Sequence, residues 1–140
     1  MELVIYCDGA YSSSRDQGGW SYVVLKNDEK IYSEFNGEKK TTNNRMEIQA
    51  AIKACEWVKK EGYTKVTIFT DSMYVIGTMT KNWKRNKNND LWKQLDDAVS
   101  GLNIIWTHVK GHTGNKYNEL CDILAVTASK AILSIENKNL

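Results

Sequence analysis

A chain of 140 residues, 41% hydrophobic and 26% charged, fits one compact domain spanning residues 1–140 and excludes a disordered reading. Its net charge of +2 is too small to diagnose a nucleic-acid binder by itself. No apolar run approaches the roughly 20 residues of a membrane span, and Met1-Glu2-Leu3 opens no signal peptide, so a cytoplasmic protein is expected.

Leu3 to Cys7 is continuously apolar, as in a central strand covered on both faces. A Gly/Ser-rich turn is expected from Gly9 to Gly19, followed by a strand over Trp20–Leu25. Asn27-Asp28 then turns the chain into a third strand, Ile31–Phe35. Thr41 to Asn44 supply capping residues for a helix from about Asn44 to Lys60, which Gly62 closes. Val66–Thr70 reads as a buried strand, with a short helix from Ser72 to about Thr80 behind it. Asn88-Asn89-Asp90 caps a helix whose stripe is Leu91, Trp92, Leu95, Ala98 and Val99, closed by Gly101. Ile104–Thr107 makes a fifth strand, and a loop from Lys110 to Tyr117 leads to a last helix, about Asn118 to Leu133. A frayed tail from about residue 135 ends the chain. Three strands followed by alternating strands and helices predict an α/β fold with a mixed sheet. Cys7, Cys55 and Cys121 are widely spaced within apolar patterns and read as reduced core residues, not metal ligands.

Four acidic residues interrupt these patterns. Asp8 and Asp71 each close an apolar, strand-like run, where sites collect in open α/β sheets. Each also suits a plain structural role, Asp8 as a turn residue and Asp71 as a helix N-cap. Glu47 opens a helix face continued by Ala50, Ala51, Ala54 and Val58, and it also sits three residues after Asn44, as in a capping box. Asp122 lines up with Asn118, Ala125 and Ser129, a seam that also suits a solvated helix face. Buried carboxylates near one another require cations, and such oxygen ligands suit Mg²⁺ or Mn²⁺. Two such ions about 4 Å apart activate water and stabilise the leaving oxygen of a phosphodiester. His112, in the loop Gly111 to Gly114, is either incidental or a proton carrier. Lys81, Lys84, Arg85 and Lys87 cluster around Trp83, with Lys39-Lys40 a second basic patch. His108 carries no assigned role.

The ordered set Cys7-Asp8-Gly9, Gly18-Gly19-Trp20, Thr41 to Glu47, Thr70-Asp71-Ser72, Asp90-Leu91-Trp92, Val109 to His112 and Asn118 to Asp122 resembles type 1 ribonuclease H over nearly the whole chain. The resemblance implies a ribonuclease H-like fold, a five-stranded mixed sheet with the second strand antiparallel, flanked by helices. It implies endonucleolytic cleavage of the RNA strand of an RNA–DNA hybrid by a two-metal-ion mechanism, giving 5′-phosphate and 3′-hydroxyl ends. Mg²⁺ is the implied cofactor, with Mn²⁺ substituting. Asp8, Glu47, Asp71 and Asp122 match the catalytic metal ligands, and His112 matches a residue assisting proton transfer or product release. Lys40, Thr42 and Asn88 fall where the family grips a DNA phosphate, and Asn43 and Asn44 where it reads the minor groove. Gly9 and Ala10 let the backbone approach RNA, and Trp83 offers a sugar-stacking face.

Two departures stand out against the family. Only Lys84 to Asn89 joins Trp83 to Asp90, so the basic protrusion of many bacterial members is expected to be absent, with the Lys81–Lys87 cluster a partial replacement. Met73 stands where members often carry an RNA-contacting glutamine. A monomer without obligate protein partner or membrane contact is expected. The rival readings are a nuclease of this fold acting on double-stranded RNA and a non-catalytic hybrid-binding module. A pure binder has no need of four converging acids that would repel phosphates.

Overall fold

The computed structural model describes residues 2–110 and 115–131. His112, the expected helix end at Leu133 and the expected tail lie outside these residues. The elements in chain order are β1 (Leu3–Ser12), β2 (Gln17–Lys26), β3 (Glu29–Lys39), α1 (Asn43–Lys60), β4 (Lys65–Thr70), α2 (Met73–Thr80), α3 (Asn89–Val99), β5 (Asn103–His108) and α4 (Lys116–Lys130). The five strands form one sheet in the order β3-β2-β1-β4-β5. β1 pairs in parallel with β4, and β4 with β5, whereas β2 runs antiparallel to β1 and β3, as expected. Among the described residues no helix is long and apolar enough to cross a membrane.

Alternation along β1 builds two cores. Leu3, Ile5 and Cys7 join the cluster under α1 and α3, which includes Ala50, Ala51, Ala54, Val58, Trp92 and Leu95. Tyr6 faces the other side, with Val23, Leu25 and Cys121, beneath α4. A strand covered on both faces has no polar side to alternate with, which explains its unbroken apolar run. The turn between β2 and β3 places Asn27 and Asp28 at φ 52° and 67°, the left-handed pair of a tight hairpin.

The Gly/Ser-rich stretch is not a long turn. β1 continues past Cys7 to Ser12, paired throughout with β2 down to Gln17, and only residues 13–16 turn. The glycines serve helix packing. A Cβ at Gly9 would lie 2.4 Å from the Glu47 nitrogen, and one at Gly18 would lie 2.5 Å from Met46 Cγ. A Cβ at Gly19 would meet the Ala125 carbonyl oxygen and the Ser129 nitrogen of α4, the latter at 2.6 Å. Strand glycines of this kind mark places where another backbone comes close. No helix lies between α2 and α3, so the connection is short, as the missing protrusion requires.

Gly19→Ala is therefore expected to push α4 off β2 and cost about 2 kcal/mol or more, the overpacking range for a site with backbone on the far side. Urea unfolding should show a lower midpoint at unchanged m.

Candidate active site

The parallel ladder between β1 and β4 ends at the pair Tyr6–Phe69. Asp8 and Asp71 each lie two residues further on, so continuing the register sets them side by side where the strands part. Such a parting at strand ends is where α/β sheets collect ligands. Glu47 comes to the same place from α1, because Gly9 lets the first turn of that helix sit on β1. One carboxylate oxygen each from Asp8, Glu47 and Asp71 lie within 4.8 Å of one another.

The structural alternatives for three of these acids are excluded. Asp8 is no turn residue: it is a strand residue opposite Ser21, only 3% exposed. The N-cap of α2 is Ser72, whose Oγ accepts from the Val75 N–H at 3.2 Å, leaving Asp71 outside the cap. The N-cap of α1 is Thr42, whose hydroxyl accepts from the Arg45 N–H, so Asn44 and Glu47 form no capping box. Instead the Glu47 carboxylate accepts from the Gly9 N–H at 2.8 Å, and Asp8 Oδ1 accepts from the same N–H at 2.9 Å.

Burial pushes the Asp8 carboxyl up to about 8, helped by the charges of Asp71 and Asp122 and opposed by the Gly9 N–H. Burial likewise raises Glu47 well above the usual carboxylate range, reinforced by Asp8 and then Asp71. Asp122, half-buried on α4, thus stands beside Asp8 without joining the tight trio. Asp8 Oδ2 is buried with no hydrogen-bond partner. An orphaned carboxylate oxygen among like charges is the donor set that a hard divalent cation satisfies, so these residues fit Mg²⁺ or Mn²⁺.

The other expected residues lie around this centre. Asn43 and Asn44 are exposed on the first turn of α1, and Met73 is exposed on that of α2. Lys40 is exposed at φ 53°, and its N–H donates to the Asp16 carbonyl at 2.8 Å. Ala10 is half-buried in β1, whereas Gly9 is buried, the space above it filled by α1. Trp83 is 43% exposed, with its indole laid on Gly77, where a Cβ would lie 2.2 Å from the ring. Arg85 departs from the expected basic cluster. It holds Asp96 through two bonds of 2.6 and 3.1 Å and lies over the Trp92 ring, so it braces α3, while Lys81, Lys84 and Lys87 are exposed.

Arg45 was not singled out from the sequence. Its guanidinium grips both oxygens of Asp90, at 3.0 and 2.7 Å, and donates to Asn88 Oδ1 at 3.2 Å. Asn88, left-handed at φ 62°, donates from Nδ2 to the Tyr74 hydroxyl and makes no side-chain cap for α3. One polar cluster thus ties together the first turns of α1, α2 and α3. No local spacing announces it, because Arg45 and Asp90 are 45 positions apart.

A profile of the RNase H family matches residues 1–130. The chain is 40% identical to a ribonuclease H of Treponema denticola over 160 aligned positions, covering 95% of this chain and all of the relative. It is 40% identical to one of Francisella tularensis subsp. novicida, covering 97% and 94%. Its fold is similar to RNase H1 from the halophilic archaeon Halobacterium salinarum, with TM-score 0.79, 26% identity and coverage of 91% and 97%. It also matches the N-terminal RNase H domain of a Mycobacterium tuberculosis protein solved as a maltose-binding-protein fusion, with TM-score 0.83, 22% identity and 99% coverage of each, a likeness of fold.

The raised Asp8 carboxyl makes a signed prediction about metal-free protein. A folded-state value above the unfolded one contributes stability that is full below about pH 4 and lost as pH rises toward about 8. In EDTA, the melting temperature should fall between about pH 5 and about pH 8. Mg²⁺ should recover most of that fall, because it binds the deprotonated site, and Asp8→Asn should reduce it, leaving the part that the raised Glu47 carboxyl contributes. Scanning calorimetry across pH checks all three.

Proposed function

Since the chain belongs to the ribonuclease H family of metal-dependent endoribonucleases, we propose that it cleaves the RNA strand of RNA–DNA hybrids using Mg²⁺, with Mn²⁺ as substitute. The observation that carries the reading is the convergence of Asp8, Glu47 and Asp71 from three different elements around an unpartnered, buried Asp8 oxygen. Those three residues, with Asp122 beside Asp8, would hold the metal, two ions with substrate in place. Bound there, the ions supply an acidified water and charge stabilisation for the leaving oxygen.

The chain's own groups do the rest. The Gly9 N–H fixes one oxygen each of Asp8 and Glu47, so the two carboxylates are oriented before anything binds. Attack of water on phosphorus in line with the 3′ oxygen breaks the P–O3′ bond, leaving a 3′-hydroxyl on one fragment and a 5′-phosphate on the next. His112 is assigned to carry a proton in turnover or product release, as its near-neutral ordinary pKa allows. Asn43 and Asn44 present amides to the minor groove, where 2′-hydroxyls distinguish RNA from DNA. Lys40, Thr42 and Asn88 hold a phosphate of the DNA strand, Ala10 lines the RNA path next to Gly9, which α1 covers, and the open face of Trp83 receives a sugar. We read residues 1–140 as one catalytic domain acting as a monomer in a reducing cytoplasm, which its three buried free thiols suit.

Matched RNA–DNA, RNA–RNA and DNA–DNA duplexes, each with Mg²⁺, Mn²⁺ or EDTA, test the reading. Only the hybrid should be cut, only on its RNA strand and only with metal, and end-labelling should find 5′-phosphates. Asp71→Asn preserves shape and removes charge. With several kcal/mol of metal-dependent stabilisation at stake, it should slow cleavage by about a thousandfold at near-native melting temperature. Wild-type turnover in that variant would falsify the metal-site assignment.

A further inference from the structure

Ser21 stands directly opposite Asp8 in the antiparallel β1–β2 register and is completely buried. By alternation it shares the α4 face of β2 with Val23, where an apolar side chain would pack. It carries a hydroxyl instead, and that hydroxyl donates to the carbonyl of Cys121 at 2.6 Å. The Cys121 thiol in turn lies 2.9 Å from Ser21 Oγ and 3.3 Å from the Tyr6 carbonyl oxygen, on the strand that carries Asp8. Cys121 immediately precedes Asp122.

The bond satisfies no loose helix end. Cys121 lies inside α4, where its carbonyl has a helical partner four residues on. A buried hydroxyl offers little gain over an apolar side chain unless its geometry matters. Here it pins the α4 backbone to the strand residue facing Asp8, one residue before Asp122. Metal sites demand placement to about half an ångström, and supporting hydrogen bonds set it.

We infer that Ser21 is a positioning residue that sets the spacing of Asp8 and Asp122 through the Cys121 carbonyl. The inference rests on the reading that these two acids share a metal site. Metal-free protein titrated with Mn²⁺ alone, followed by thermal shift and calorimetry, tests it in wild type, Ser21→Ala, Asp122→Asn and the double variant. Ser21→Ala should weaken Mn²⁺ binding about tenfold, the low end for a supporting partner, and add nothing once Asp122 is Asn. An equal loss in both backgrounds, or none in the wild-type background, overturns the role. If Ser21→Ala does not fold, Ser21→Cys, a weak donor kept reduced so that it forms no disulfide with Cys121, should show the same dependence on Asp122 and is read in the same way. Asp8→Asn separates the two layers. If it leaves Mn²⁺ binding intact, the metal site itself falls; if it abolishes binding while Ser21→Ala is silent, only the positioning role falls.

Discussion

A single backbone N–H, that of Gly9, holds two carboxylates on a buried strand, and the rest of the site is arranged around that contact. It exists because residue 9 has no side chain: any Cβ there would enter the backbone of α1. Helix and strand therefore approach more closely than ordinary packing allows, and Glu47 reaches the strand from just beyond the first turn of α1. The donor offsets part of the cost of burying negative charge, but the two acids still lie far above their ordinary range because burial and their neighbours outweigh it. The resulting imbalance is a standing demand for a cation.

Much of this was legible in the sequence. Apolar runs bounded by turn residues, together with helical spacing and capping residues, placed all nine elements of the described residues, and the acids stood out because each interrupted an apolar pattern. What escaped were interactions whose partners are remote or whose residue type has two uses. Glycine serves turns and close packing equally, so Gly9, Gly18 and Gly19 read as a turn although they lie within paired strands. Asp8 consequently looked like a strand end. Ser21 was hidden inside the run Trp20–Leu25, where a small hydroxyl barely disturbs the pattern. Asp122 needed α4 to be docked before its nearness to Asp8 could be seen.

The basic region around Trp83 shows the same limit from the opposite side. Composition put Lys81, Lys84, Arg85 and Lys87 together, but a cluster in sequence is not one surface in space. Arg85 is taken up at the surface by Asp96 and the Trp92 ring. Trp83 spends one face on Gly77, which fixes the orientation of its other face. Rigid aromatic presentation thus comes from another missing Cβ, on α2.

The Arg45 cluster has a consequence beyond holding three helices in place. By gathering the starts of α1, α2 and α3 at one spot, it superposes three helix dipoles, each worth about half a positive charge at its first turn. That field belongs to the backbone and appears in no tally of lysines and arginines. A chain whose formal charge is only +2 thereby acquires a local, sharply bounded attraction for a polyanion beside its own acidic centre.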